Sequence, residues 1–449
     1  MDASDLEYRA RTRSGCIPPE LVSRLLERGH VDVVELEAGR GEWFCALAWA
    51  RLLGERDCQA DALEVLAPYL ATGWWTAVEA TAELLENWGR VDEAIEITRI
   101  RMKAGHLMAL ESYTRLLARY GRAEEAFRLL RPHIDEPSLA TALVDVAEKA
   151  GQDEETAALL AAQIPDDHRC NSPWCCRGLD PDTAIGLLAT IRERQGLIDD
   201  AIALLRTRNI TVLNGRDQLA DLLARHDRIG ELRAYGAAKD NAEWRFVELL
   251  EERGGDIEGA IAACRQADRP IAQDPNSAVQ LAQLLARHGR ENEAIDVICA
   301  LADARPGDDW ILHTLSELFL DQGRAEDGLA YLDALATTRA GEENWDLYWI
   351  RLPLIAAHHG VDDAIAQARS HPEGTTWYAA SHIAELLAGT GRIEEAVAVL
   401  EQHASQNSHD LAGYLIDLGR VQDALAILRP PIPQAAAPVN GPWHEDPPF

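Results

Sequence analysis

"LLARYGRAEEAFRLL" (Leu116–Leu130) decides the fold, because the chain writes it again as "LLARHGRENEAIDVI" (Leu284–Ile298) and "LLAGTGRIEEAVAVL" (Leu386–Leu400). In each copy apolar residues recur at helical spacing, a glycine interrupts them, and a second helical pattern follows. Leu281, Leu284 and Leu285 ahead of Gly289 form one face of an amphipathic helix. The glycine ends that helix, since it enters the left-handed C-cap conformation cheaply, as asparagine and aspartate do less often. An acid pair comes next, as at Asp92-Glu93, Glu124-Glu125, Asp199-Asp200 and Glu394-Glu395. It suits the positive N-terminal end of a second helix.

Aligning the chain on this point gives Gly29, Gly54, Gly89, Gly121, Gly151, Gly196, Asp227, Gly255, Gly289, Gly323, His359, Gly391 and Gly419, about thirteen units. Five residues on there is usually a small residue (Ala94, Ala126, Ala201, Ala260, Ala294, Gly328, Ala364, Ala396, Ala424), with Thr156 and Leu232 in two weaker units. Gly54 needs three extra residues to reach Ala62. The small residue lets two helices approach, and a leucine four further on (Leu130, Leu205, Leu400, Leu428) fills the groove between them. Each unit therefore reads as helix A, tight turn, helix B. A single hairpin cannot bury its own apolar face, whereas stacked hairpins bury one continuous core.

On these residues the chain resembles the tetratricopeptide repeat family over roughly residues 19–430. It keeps the glycine and the alanine five beyond it, a small residue seven before the glycine (Ala189, Ala282, Ser316, Ala384), and in places a tryptophan eleven before it (Trp43, Trp244). It departs in placing leucine four before the glycine (Leu85, Leu117, Leu285, Leu387), in keeping the closing proline clearly only at Pro306, and in spacings that mostly run between 28 and 36. The resemblance implies an all-α fold, a right-handed α-solenoid of about thirteen antiparallel helix-turn-helix repeats. The expected organisation is a lead-in over 1–18, an N-terminal sub-array over 19–163, an inserted loop over 164–181, a C-terminal sub-array over 182–430, and a proline-rich flexible tail over 431–449.

The chain has 449 residues, of which 47% are hydrophobic and 26% charged, which is enough apolar material for an extended core. Its formal charge of −32 should repel nucleic acid over most of the surface and favour a basic or neutral partner. No run of about 18 apolar residues and no signal-peptide pattern is visible, so a cytoplasmic protein away from membranes is expected. The eight cysteines lie mostly inside apolar helical patterns, where reduced thiols act as small hydrophobes. Arginine outnumbers lysine 40 to three, and alanine is abundant, which suggests a GC-rich bacterial source.

In tetratricopeptide proteins the A helices line a concave groove for a peptide or a partner helix. By resemblance, groove residues stand thirteen, ten, six and three before each repeat glycine. The row six before reads Glu83, Arg115, Asp145, Thr190, Asp221, Leu249, Gln283, Glu317, Pro353 and Glu385. Neighbouring rows add Glu79, Glu86, Glu111, Glu148, Glu193, Asp217 and Glu252. Facing carboxylates focus negative potential and attract an arginine- or lysine-rich segment, although a chain of this charge carries acids on every solvated face. Trp310, Trp349, Phe44 and Tyr378 also fall in groove rows, where aromatic side chains anchor a partner. Trp74, Trp75, Trp345 and Trp377, at or near helix entries, suit packing between repeats.

The inserted loop carries His168, Cys170, Cys175 and Cys176. Adjacent cysteines do not easily point at one ion, so an ordinary loop is expected ahead of zinc or a redox pair. Phosphate-binding, dinucleotide, zinc-protease and nucleophile-elbow motifs are absent, and acid pairs copied along an array are helix starts rather than a general acid and base. Neither catalysis nor a cofactor is expected. The leading expectation is a protein-binding adaptor that takes a basic or amphipathic segment. A homo-oligomer that stacks through terminal hairpins is the second reading, and an enzyme with its site in the inserted loop is the third.

Overall fold

The computed structural model describes residues 2–164, 178–208, 212–213, 216–236, 245–251, 257–266, 275–305, 308–338 and 345–428. Trp244, Glu252, Gly255, Pro306, the His168 to Cys176 segment and the tail from residue 429 lie outside them. The described chain is helical hairpins throughout, apart from short 3₁₀ turns and one two-residue antiparallel ladder that pairs Val212 with Asp217 and Leu213 with Arg216. Leu107–Arg119 with Ala123–Leu130, Pro275–Arg287 with Glu291–Ala304, and Trp377–Gly389 with Ile393–Leu400 are the helix pairs of the three opening stretches.

Apart from the one at Gly360, the repeat turns among the described residues close in the same way. The repeat glycine is left-handed, as at Gly121 (φ 82°). The amide after it donates to the carbonyl five residues back: Arg90 to Leu85 at 2.8 Å, Arg122 to Leu117 at 2.9 Å, Arg290 to Leu285 at 2.9 Å, Arg392 to Leu387 at 2.9 Å. This is the six-to-one bond of a Schellman cap, and it satisfies a carbonyl that the helix end leaves orphaned. In these four turns the leucine four before the glycine thus provides the cap acceptor with its backbone while its side chain is buried in the core.

Two alignment points need correction. Gly54 lies inside the helix Trp43–Glu55, and the left-handed residue of that turn is Asp57 (φ 60°), with Cys58 donating to Leu53 at 2.8 Å. Ala62 then falls at the regular five-residue offset, so the three extra residues disappear, and Trp43 no longer holds the place of the family tryptophan. His359 ends the helix Trp345–His359, and Gly360 (φ 98°) takes the turn. Asp227 (φ 59°) does stand in for glycine.

The small-residue slot is where the helices touch. Ala62, Ala94, Ala126, Ala201, Ala260, Ala294, Ala364, Ala396 and Ala424 are all fully buried. At Gly328 a Cβ would come within 3.0 Å of the Phe319 ring and 3.1 Å of Leu354, so the bulk removed at that slot is supplied by its neighbours. Successive hairpins are also stitched across repeats, since the buried Ser316 hydroxyl donates to the Ile350 carbonyl at 3.0 Å.

The helices form two compact units, Trp75–Gly360 and Met1–Trp74 with Val361–Phe449. In the latter, the opening residues are a helix, Ala3–Thr12, capped by Asp2 and tied down by two contacts. Arg9 pairs with the buried Glu42 at 3.1 Å, and the Trp74 indole N–H donates to Glu7 at 2.7 Å. Trp43 packs edge-on against both Tyr69 and Trp74, with centroids 5.1 and 4.8 Å apart.

Candidate partner-binding surface

In the Trp75–Gly360 unit, the A helices Trp75–Asn87 and Leu107–Arg119 enclose a groove of about 500 Å³. Glu79, Glu83, Glu86, Met108, Glu111, Arg115 and Arg119 line it. Its carboxylates divide by partner. Arg119, from the next repeat, grips Glu86 with two bonds of 2.9 and 2.7 Å. Arg115 joins Glu111 at 3.1 Å and Asp145 at 2.5 Å. Glu79 stands against Glu83 and Glu111, and its carboxyl is pushed above the usual range first by loss of water and then by those two charges. Beside this acid cluster Leu107 and Met108 are 46% and 59% exposed, an apolar flank that the helix leaves to solvent.

The Glu86–Arg119 pairing recurs along the unit. An arginine two before the turn residue reaches a glutamate at the end of the preceding A helix: Arg194 to Glu148 at 3.6 Å, Arg225 to Glu193 at 2.9 Å, Arg287 to Glu251 at 2.9 Å. His226 and His288 add to the last two, at 2.8 and 2.7 Å. Burial works against ionisation of Glu193, but Arg225 and His226 outweigh it and hold its carboxyl low; Arg287, aided by His288, does the same for Glu251. Along this row the groove is therefore a ladder of ion pairs rather than a continuous negative strip. The sequence reading missed it because it counted the acids and not the arginines one repeat later; the signal was the arginine that recurs two before the turn.

The other expected site residues are spread. Asp217 is a correction: it is buried and caps the helix Gln218–Arg225 through the Leu219 and Ala220 amides, both at 3.0 Å, while accepting from the Tyr235 hydroxyl at 2.8 Å. Its carboxylate faces no partner because the helix start uses it. Asp221 pairs with Arg245 at 3.2 Å. Trp310 is 44% exposed, Glu317 lies 3.5 Å from His313, and the His313 ring packs on Trp349 with centroids 5.1 Å apart. In the Met1–Trp74 with Val361–Phe449 unit, Tyr378 donates to Glu373 within its own hairpin, and Glu385 is exposed. Trp74, Trp75 and Trp345 are buried, whereas Trp377 is 48% exposed.

A second ladder runs along the turns. The arginine after the repeat position bonds the acid three residues on, as in Arg90–Glu93, Arg122–Glu125, Arg228–Glu231, Arg290–Glu293, Arg324–Asp327, Arg392–Glu395 and Arg420–Asp423. Four of these arginines also reach the first acid or amide of the preceding turn: Arg228 to Asp199, Arg290 to Glu258, Arg324 to Asn292 and Arg392 to Asp362. The repeated acid pair is thus a two-way tie between turns as well as a helix start. Among the described residues no cluster of three or more His, Cys, Asp or Glu is arranged to hold a metal ion.

No protein-family model and no curated protein sequence matches the chain. Solved structures that it is similar to include the APC/C hetero-tetramer Cut9-Hcn1, at 11% identity over 81% of this chain and 73% of that one, with a TM-score of 0.31. Another is Naa15/Naa10 bound to HypK-THB, at 13% identity over 92% and 79%, with a TM-score of 0.30. A third is the pentatricopeptide repeat protein PPR10 from maize, at 15% identity over 91% of this chain and 62% of that one, with a TM-score of 0.37.

Proposed function

We propose that this chain is a non-enzymatic protein-binding scaffold, and that the groove between Trp75–Asn87 and Leu107–Arg119 receives a basic or amphipathic segment of another protein. The observation that carries this reading is the contrast within one groove. Glu86 and Asp145 are matched by arginines of the array, whereas the Glu79 carboxyl is held up first by burial and then by the charges of Glu83 and Glu111 beside it, which supports reading a local excess of negative charge there. An arginine or lysine side chain placed there relieves that excess, and Leu107 and Met108 offer an apolar surface to the rest of an amphipathic helix. A net charge of −32 disfavours polyanionic partners such as nucleic acid. A cytoplasmic adaptor accords with the absence, among the described residues, of a helix long and apolar enough to cross a membrane.

Fluorescence anisotropy with a labelled amphipathic peptide of arginine and leucine tests the reading. Wild type binds it at low salt, and Glu79→Gln/Glu83→Gln binds at least tenfold more weakly with an unchanged helical spectrum. Equal affinity for the two proteins removes the acid cluster from the binding site.

A further inference from the structure

The first and last hairpins of the array touch each other. Helix Pro19–Glu27 packs on helix Ser408–Asp417, the A helix of the first hairpin on the A helix of the last. This is the same A-to-A contact that successive repeats make elsewhere. Leu21, Val22 and Leu25 on one side and Leu411, Leu415 and Ile416 on the other are buried.

The polar part of this contact is built, not incidental. Asp417, its side chain 4% exposed, accepts from Arg24 Nε at 2.9 Å and from Arg24 Nη2, and Arg28 Nε reaches the same carboxylate at 2.9 Å. The Arg24 guanidinium lies 5.7 Å from the Tyr414 ring centroid. Gly413 is the opening that admits it. A Cβ there would come within 2.7 Å of Arg24 Nη1 and 3.6 Å of Leu21, although a glycine inside a helix is otherwise less favourable than alanine. His409 and Glu20 flank the contact at 3.7 Å. Two cations on one helix and one nearly buried anion on the other give the two array ends a charge code as well as a shape.

We propose that Arg24, Arg28 and Asp417 form an ionic latch that holds the two array ends on each other, and that a second copy of this chain takes an end when the latch is broken. An open repeat array presents an uncovered apolar helix at each end, and such surfaces stack or exchange between molecules. Here each end covers the other. The complement of each end is the opposite end of the same sequence, so a second copy fits it in both shape and charge. The latch thus governs whether the protein stays single or joins end to end.

The test uses charge reversal in the full chain. Asp417→Arg alone and Arg24→Asp/Arg28→Asp alone each place like charges across the contact. Hydrogen exchange at amides 21–28 and 411–418 is expected to quicken at least tenfold in both, with the helices Leu107–Arg119 and Pro275–Arg287 unchanged. Mixed at tens of micromolar, the two variants carry matching charges only between molecules, and sedimentation velocity is expected to show a heterodimer. All three substitutions on one chain restore the monomer and its slow exchange. Wild-type exchange in the single-site sets, or a mixture that stays monomeric, overturns the proposal. If either set fails to fold, Asp417→Asn at low salt replaces it, and exchange within threefold of wild type in the two helices overturns the latch.

Discussion

Arg290 reaches back to Glu258 in the preceding turn at 3.0 Å while its other nitrogens hold Glu293 in its own. Arg265, from the preceding helix B, also bonds Glu293, and the two arginines pull that carboxyl down to about 2. One exposed pair of this kind contributes little, because solvent screens it and two long side chains must be ordered. A ladder differs, since Arg228, Arg290 and Arg324 each tie an acid of their own turn to an acid or amide of the preceding one. Arg290→Ala alone is therefore expected to leave the melting temperature nearly unchanged. Arg228→Ala, Arg290→Ala and Arg324→Ala together lower it by several degrees at 50 mM salt, and the deficit shrinks in 0.5 M salt. A deficit independent of salt would assign the loss to packing of the arginine stems instead.

Gly328 and Gly389 both lie within helices but in different surroundings. A methyl group at 328 meets the Phe319 ring at 3.0 Å, whereas at 389 nothing stands within 4 Å. Gly328→Ala is expected to destabilise by about 1–3 kcal/mol through overpacking, despite the better helix propensity of alanine. Gly389→Ala is expected to stabilise by up to about 1 kcal/mol. Urea unfolding of the two variants checks the opposite signs.

The turns allow a purely backbone test. Gly121 has φ 82° and open space around its missing Cβ, so Gly121→Ala costs only the local strain of a Cβ against the next carbonyl in the left-handed region, about 1–2 kcal/mol. Asp57 already carries the left-handed strain at φ 60°, and Asp57→Gly is expected to hold or raise stability. Thermal melts that ranked the two the other way would place the turn of that repeat back at Gly54.

These turns also show what the sequence made legible. The hairpin is a local object, and its signals lie within about fifteen residues of one another, so the glycine, the leucine four before it and the alanine five after it could be read directly. Two turns were misplaced: Gly54 drew the alignment from Asp57, an uncommon left-handed cap, and the five-residue offset to Ala364 pointed to His359 rather than to the adjacent Gly360. The groove was less legible. Glu86, Glu148 and Glu193 lie where an A-helix acid was expected, but whether such an acid is available depends on an arginine one repeat away. Asp217 was misread because a buried N-cap and an exposed groove acid look alike in sequence. The contact of Arg24 with Asp417, 393 positions apart, left no local trace except an odd glycine in the last A helix.

Glu79 and Glu251 should respond to pH in opposite directions. The folded state raises the Glu79 carboxyl, so it binds a proton more readily folded than unfolded. Stability from this group is present below the unfolded carboxylate range, near pH 4.3, and is lost as pH rises through the folded value. Glu251 is lowered by Arg287 and His288, so its contribution is present above that range and is lost as pH falls through its folded value. Glu79→Gln is accordingly expected to raise the melting temperature at pH 7 and to match wild type below pH 4. Glu251→Gln is expected to lower it at pH 7, and that deficit too closes in acid as wild type protonates. A Glu79→Gln gain that persisted at pH 3 would mean the amide acts through packing or hydrogen bonding, and the excess of negative charge on which the groove assignment rests would have to be abandoned.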